Sequence, residues 1–168
     1  LLSGSLLVLL PIALVTAGLL VVGGVPMTLD GAQSVTTLEG ATQVIARGPV
    51  AAFVAVKQLG TNGGGFFGAD SAHPFENPTA FTNVVESVAI LLLPMACVWM
   101  FGAITGRRRH AATIFAVMSV LLLVKAGAAV WTKSAPASAL AGLPVASSGN
   151  LEGKELPVGA GAGAAWGV

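Results

Sequence analysis

Polar and apolar residues are not interleaved along this chain with the period of an amphipathic helix or a half-buried strand; they come in blocks. Three apolar blocks of about 20 residues, the length a helix needs to cross roughly 30 Å of hydrocarbon, lie at approximately 5–24, 83–105 and 111–131. Each predicts a membrane-spanning helix. Pro94 inside the second predicts a kink, and Asn77-Pro78-Thr79 supplies start signals ahead of it. A fourth block, Pro49 to Leu59 (PVAAFVAVKQL), is interrupted only by Lys57-Gln58 and is too short to span. It predicts a re-entrant half-helix over about 49–59, with Pro49 in the first turn and Gly60 as the left-handed terminating residue.

Composition agrees with this pattern: 55% of the residues are hydrophobic and 9% charged, against about a quarter charged in soluble domains. The fold class expected is an all-α membrane protein. A net charge of +1 provides no field for a nucleic-acid partner, and no nucleic-acid-binding motif is present. The single cysteine, Cys97, lies in an apolar run and excludes an internal disulfide. The chain starts without Met in LLSGSLLVLLPIAL and stops in GAGAGAAWGV, which reads as a piece of a longer polypeptide.

Charge orients the spans. Gly106-Arg107-Arg108-Arg109-His110 separates the second and third apolar blocks, whereas the seven acidic residues lie in the other loops or near their ends. The positive-inside rule places 106–110 in the cytoplasm and residues 25–82 outside. Trp99 and Trp131 fall towards span ends as interfacial anchors, and Lys125 can snorkel to the outer surface.

After the half-helix comes GTNGGGFFGAD at 60–70. A short apolar helix, a glycine run, an extended segment and a spanning helix form a helix–pore-loop–helix plan. Irregular backbone at membrane depth survives only where it is buried in protein or lines a watery cavity. The half-helix would direct the negative end of its dipole at the loop, favouring cations. Backbone carbonyls of Thr61, Asn62, Gly63, Gly64 and Gly65 could then replace part of the hydration shell of a monovalent cation. A plain glycine turn is the alternative; a phosphate-binding loop lacks its motif here. Downstream, Asp70, His73, Glu76 and Asn77 match neither a zinc pattern nor an acid–base set. The expectation is that His73 and Asn77 hydrogen-bond the extended backbone behind the filter, while Asp70 and Glu76 make the outer mouth negative.

The run TLEGATQVIARGPVAAFVAVKQLGTNGGGFFGADSAHPFENPTAFTN closely resembles the second pore-loop region of the potassium-transporting ATPase A chain family, the channel-like subunits of the bacterial Kdp system. GPVA at 48–51, KQLGTNGGGFF at 57–67 and SAHPFENPTA at 71–80 carry the resemblance, and NLEGKE at 150–155 looks like the segment ahead of the family's third pore loop. The resemblance implies a member of the K⁺ transporter superfamily, with four non-identical helix–pore–helix repeats around one filter, of which residues 1–106 would be the second and 107–168 the opening of the third. Leu38-Glu39-Gly40 and Leu151-Glu152-Gly153, each following an apolar span, fit such repetition.

It also implies a transported ion, K⁺, bound through the backbone of Thr61, Asn62 and Gly63, with Gly63 at the family's filter glycine. Implied too are a P-type ATPase B chain that hydrolyses ATP, a C chain and a small F chain as partners, no organic cofactor, and the bacterial inner membrane as location. The chain itself would be non-catalytic. Asp70 stands where the family usually has Asn, and Leu156-Pro157-Val158 departs from its pattern. Lacking three of four filter loops, the chain alone is expected to be inactive. A passive channel or ion-coupled transporter of the same superfamily, or a structural membrane subunit, are the other readings.

Overall fold

The computed structural model describes residues 2–61, 63–68, 71, 73–134 and 159–166. Among these residues, three helices are long and apolar enough to cross a membrane: α1, Leu2–Val22; α3, Ala80–Ile104; and α4, Arg108–Ser134. The short apolar helix α2, Val50–Gly60, stands between the first two, and α5, Ala160–Trp166, follows the third. The protein is an all-α membrane protein whose only sheet among the described residues is a two-stranded hairpin, β1 (Gln33–Thr36) with β2 (Thr42–Ile45). The chain divides into two compact units, Leu1–Val85 and Glu86–Val168.

In the first unit, α1 contains a π-helical stretch at Ser5–Leu9. Pro11 stands two residues after it and can supply no amide hydrogen to the preceding turn. Leu20 and Val25 at the end of α1 pack with Val50, Ala51, Val54 and Ala55 of α2 into a buried core, against which Phe66 and Phe67 lean. The amide of Ala51 donates to the carbonyl of Pro26 at 3.0 Å, so the start of α2 is held to the strand of chain leaving α1. Close approach governs the far side: a Cβ on Gly23 would stand 2.3 Å from Thr82 Cγ2.

The hairpin was not anticipated from the sequence. Its strands pair antiparallel in the register Gln33↔Ile45 to Thr36↔Thr42. The Thr37 amide donates to Ala41 O at 2.8 Å and the Gly40 amide to Thr37 O at 2.9 Å, while Gly40 takes φ +83°, the left-handed position that closes a three-residue hairpin loop. Leu38-Glu39-Gly40 is thus the tip of this hairpin.

The helix start before α3 also differs from expectation, since Thr79 rather than Asn77 is the cap. The Thr82 amide donates to Thr79 Oγ1 at 3.2 Å and the Thr79 amide to Thr82 Oγ1 at 3.0 Å, a reciprocal capping box made by two threonines. Asn77 is directed elsewhere, as described below.

In the second unit, α3 runs on through Pro94 to Ile104. The connection to α4 is shorter than the arginine run suggests, because Arg108, Arg109 and His110 already form the first turn of α4. The carbonyl of Arg107 accepts from the amides of His110 and Ala111 at 3.0 and 3.1 Å, and Gly106 makes the reversal at φ +66°. The two helices touch where Gly102 meets Ala111, whose Cβ would lie 2.4 Å from a Cβ at Gly102. Trp99 and Phe115 lie against each other further along, 5.6 Å between ring centres. Most large side chains of the three long helices are exposed, Leu7, Val22, Ile104 and Leu123 among them, a surface suited to hydrocarbon or to protein packed on it. NLEGKE and Leu156-Pro157-Val158 lie outside the described residues.

Candidate functional site

The site is built at the end of α2. That helix is terminated by Thr61, not Gly60: Thr61 adopts φ 54°, ψ 23°, and its amide donates to the carbonyls of Lys57 and Gln58. Gly63 and Gly64 continue with φ of 71° and 86°, conformations that L-residues with a Cβ rarely adopt. Thr61, Gly63, Gly64 and Gly65 are all exposed. Asn62 and Asp70 lie outside the described residues.

Gly65 is required for a different reason. A Cβ there would meet the carbonyl oxygen of Gly68 at 1.7 Å and Glu76 Oε1 at 2.9 Å. The chain folds back on itself within four residues, and aromatic rings hold the fold from behind. Phe66 rests on Gly48, where a Cβ would be 2.6 Å from its ring, and meets Phe53 edge-on at 5.7 Å. Phe67 stacks on His73 at 4.5 Å.

Glu76 does not present its charge at an outer mouth. Its side chain is 0% exposed and forms a salt bridge with Lys57, Oε2 to Nζ 3.2 Å, Lys57 itself being 9% exposed. Ser71 completes the cluster: its hydroxyl bonds Glu76 Oε2 at 3.2 Å, receives Gln58 Nε2 at 3.3 Å and is bonded by Lys57 Nζ. The other carboxylate oxygen, Oε1, accepts the backbone amide of Phe67 at 2.6 Å. A buried charge needs this degree of pairing to be tolerated. Ser71 takes φ 50° to reach it.

His73 and Asn77 also act differently from expectation. His73 is exposed; its Nδ1 accepts from the Phe75 amide at 3.2 Å, and its backbone carbonyl accepts from the amides of Glu76 and Asn77. The buried amide of Asn77 donates to Asn83 Oδ1 at 2.8 Å and accepts from Thr82 Oγ1 at 2.7 Å. It therefore fastens the loop to the first turn of α3, not to the backbone behind the glycines.

Lys57, Gln58, Ser71, Thr82 and Asn83 are site residues that the sequence reading passed over. A signal for Lys57 existed: it is the one charge on an otherwise apolar short helix, which demands a partner. Its partner could not be chosen from spacing alone. A cavity of about 240 Å³ opens beside the loop, lined by Phe53, Val56, Lys57, Gly63, Gly65 and Phe66. Among the described residues no three of His, Cys, Asp and Glu converge as a metal site would require.

This arrangement defines a class: an α-helical membrane protein in which a half-length helix and a glycine loop come, in chain order, after one helix of spanning length and before the next. Within that class the chain belongs to the potassium-transporting ATPase A subunit family, KdpA, whose profile matches residues 1–168. It is 48% identical over 162 residues to the potassium-transporting ATPase potassium-binding subunit of Beijerinckia indica, covering 96% of this chain and 28% of that protein. The subunit of the same name from Pseudomonas aeruginosa is 45% identical over 165 residues, 98% of this chain and 29% of the relative. The chain thus spans less than a third of the length of these curated relatives.

Proposed function

We propose that this chain is part of the K⁺-binding, K⁺-translocating subunit of an ATP-driven uptake pump, and that the backbone of Thr61 to Gly65 contributes one wall of its selectivity filter. The observation that carries the reading is the junction at Thr61: the carbonyl end of α2 runs directly into exposed backbone whose positive φ values at Thr61, Gly63 and Gly64 suit carbonyls turned towards a common ligand. A helix C-terminus bears roughly half a negative charge, which favours a cation there, and carbonyl oxygens can substitute for its water shell. The names of the relatives, potassium-binding subunits of a potassium-transporting ATPase, support K⁺ as that cation.

On this reading residues 1–106 are the second of four helix–pore–helix repeats and 107–168 open the third. ATP hydrolysis belongs to a P-type ATPase B chain, with C and F chains completing the complex in a bacterial inner membrane. Residues 25–82 face outwards and 106–110 the cytoplasm, a reading supported by the three arginines of the short loop.

The test is Gly63→Ser in the full-length subunit assembled in its complex. It should raise the K⁺ concentration for half-maximal uptake by about tenfold, on the order of 1.4 kcal/mol, and weaken discrimination against Rb⁺. Unchanged affinity and selectivity would remove the loop from the ion path, and uptake that persists without ATP would reassign the protein to a passive or ion-coupled transporter.

A further inference from the structure

Lys57 poses an electrostatic problem for the function proposed above. It places an ammonium group on the last turn of the helix whose dipole is to favour a cation, and it lines the same small cavity as Gly63 and Gly65. Left alone, a cation in that position opposes a bound cation. The charge is not left alone, since Glu76 pairs with it at 3.2 Å from a fully buried position.

The same carboxylate fixes the geometry of the loop. Oε1 takes the Phe67 amide at 2.6 Å and fills the space that a side chain at Gly65 would need. Ser71 bonds the carboxylate and is itself held by Gln58. One group therefore both sets the backbone of the loop and cancels the charge beside it.

We propose that Glu76 is a positioning residue for the ion site, acting with Lys57 as a charge-balanced clamp: it holds the loop after the glycine run and neutralises the ammonium group of Lys57 bordering it. The inference rests on the filter reading, and it makes a prediction that packing alone does not. Removing the negative charge should harm cation binding, and removing both charges together should largely restore it. Glutamine at 76 keeps an oxygen to accept the Phe67 amide while it removes the charge and the acceptor that faces Lys57.

The experiment uses the full-length subunit in its assembled complex and measures K⁺ uptake and Rb⁺ competition for Glu76→Gln, for Glu76→Gln with Lys57→Gln, and for Gly63→Ser. The expected result is that Glu76→Gln raises half-saturating K⁺ by about tenfold with the maximal rate changed less than about twofold. The double variant should return to within about threefold of the parent, the non-additive signature of a coupled pair. If Glu76→Gln leaves half-saturation unchanged while Gly63→Ser shifts it, the clamp is refuted and the filter reading stands. A double variant as impaired as the single one refutes charge balance. No shift in any variant removes both the clamp and the filter. Should the Glu76→Gln complex fail to assemble, the double variant decides alone: near-parental affinity supports the clamp, and failure to assemble refutes it.

Discussion

Gly65 and Gly68 approach so closely that the carbonyl oxygen of Gly68 lies 1.7 Å from where a Cβ on Gly65 would stand. Neither partner in this contact can yield by rotating a side chain. Gly64 is in the opposite situation: its φ of +86° disfavours a side chain, but the space around it is open. Gly64→Ala should therefore cost only backbone strain, about 1–2 kcal/mol, whereas Gly65→Ala must displace the loop. In K⁺ uptake by the full-length complex, Gly65→Ala should raise half-saturating K⁺ well beyond Gly64→Ala. The reverse order would mean that the turn from Gly65 to Gly68 does not shape the site.

The buried amide of Asn77 joins the loop to α3 through Asn83 and Thr82. Asn77→Ala deletes both bonds, a loss of roughly 1–3 kcal/mol. Asn77→Asp replaces the donor by an oxygen facing Asn83 Oδ1, so it should be at least as harmful. Thermal unfolding of the detergent-solubilised full-length subunit should show lower midpoints for both, and an unchanged midpoint for Asn77→Asp would contradict the donor assignment.

Orientation in the membrane can be read chemically. In a Cys97→Ser background, a cysteine at Leu38, on the exposed hairpin tip, should react with a membrane-impermeant maleimide in intact cells. One at Arg107, in the turn before α4, should react only after permeabilisation. Equal labelling of both sites in intact cells would overturn the placement of 25–82 outside and 106–110 inside.

What the sequence disclosed followed from how many residues each effect involves. A spanning helix is announced by some 20 apolar residues together, and the half-helix by a shorter run behind Pro49, so both were legible to within a few positions. The hairpin was not, because each strand has only four residues and its side chains are mostly exposed on both faces. That leaves no apolar alternation to detect. At the loop, the tri-glycine announced unusual backbone, but one residue's difference in where α2 ends moved the left-handed position from Gly60 to Thr61. The roles of Glu76 and Asn77 were misread for a related reason. A carboxylate in a loop suggests a solvated charge, and only three-dimensional proximity reveals a lysine 19 positions earlier.

The left-handed Thr61 (φ 54°) has a consequence for the strain carried at the end of α2. A β-branched residue at positive φ is disfavoured relative to glycine, and a glycine stands immediately before it in the chain. If reversing the chain at the end of α2 were the only task of this position, glycine would perform it with less strain. Thr61→Gly is therefore expected to relieve strain at the end of α2, and any loss of K⁺ affinity in that variant of the full-length complex would be traced to the hydroxyl and methyl it removes.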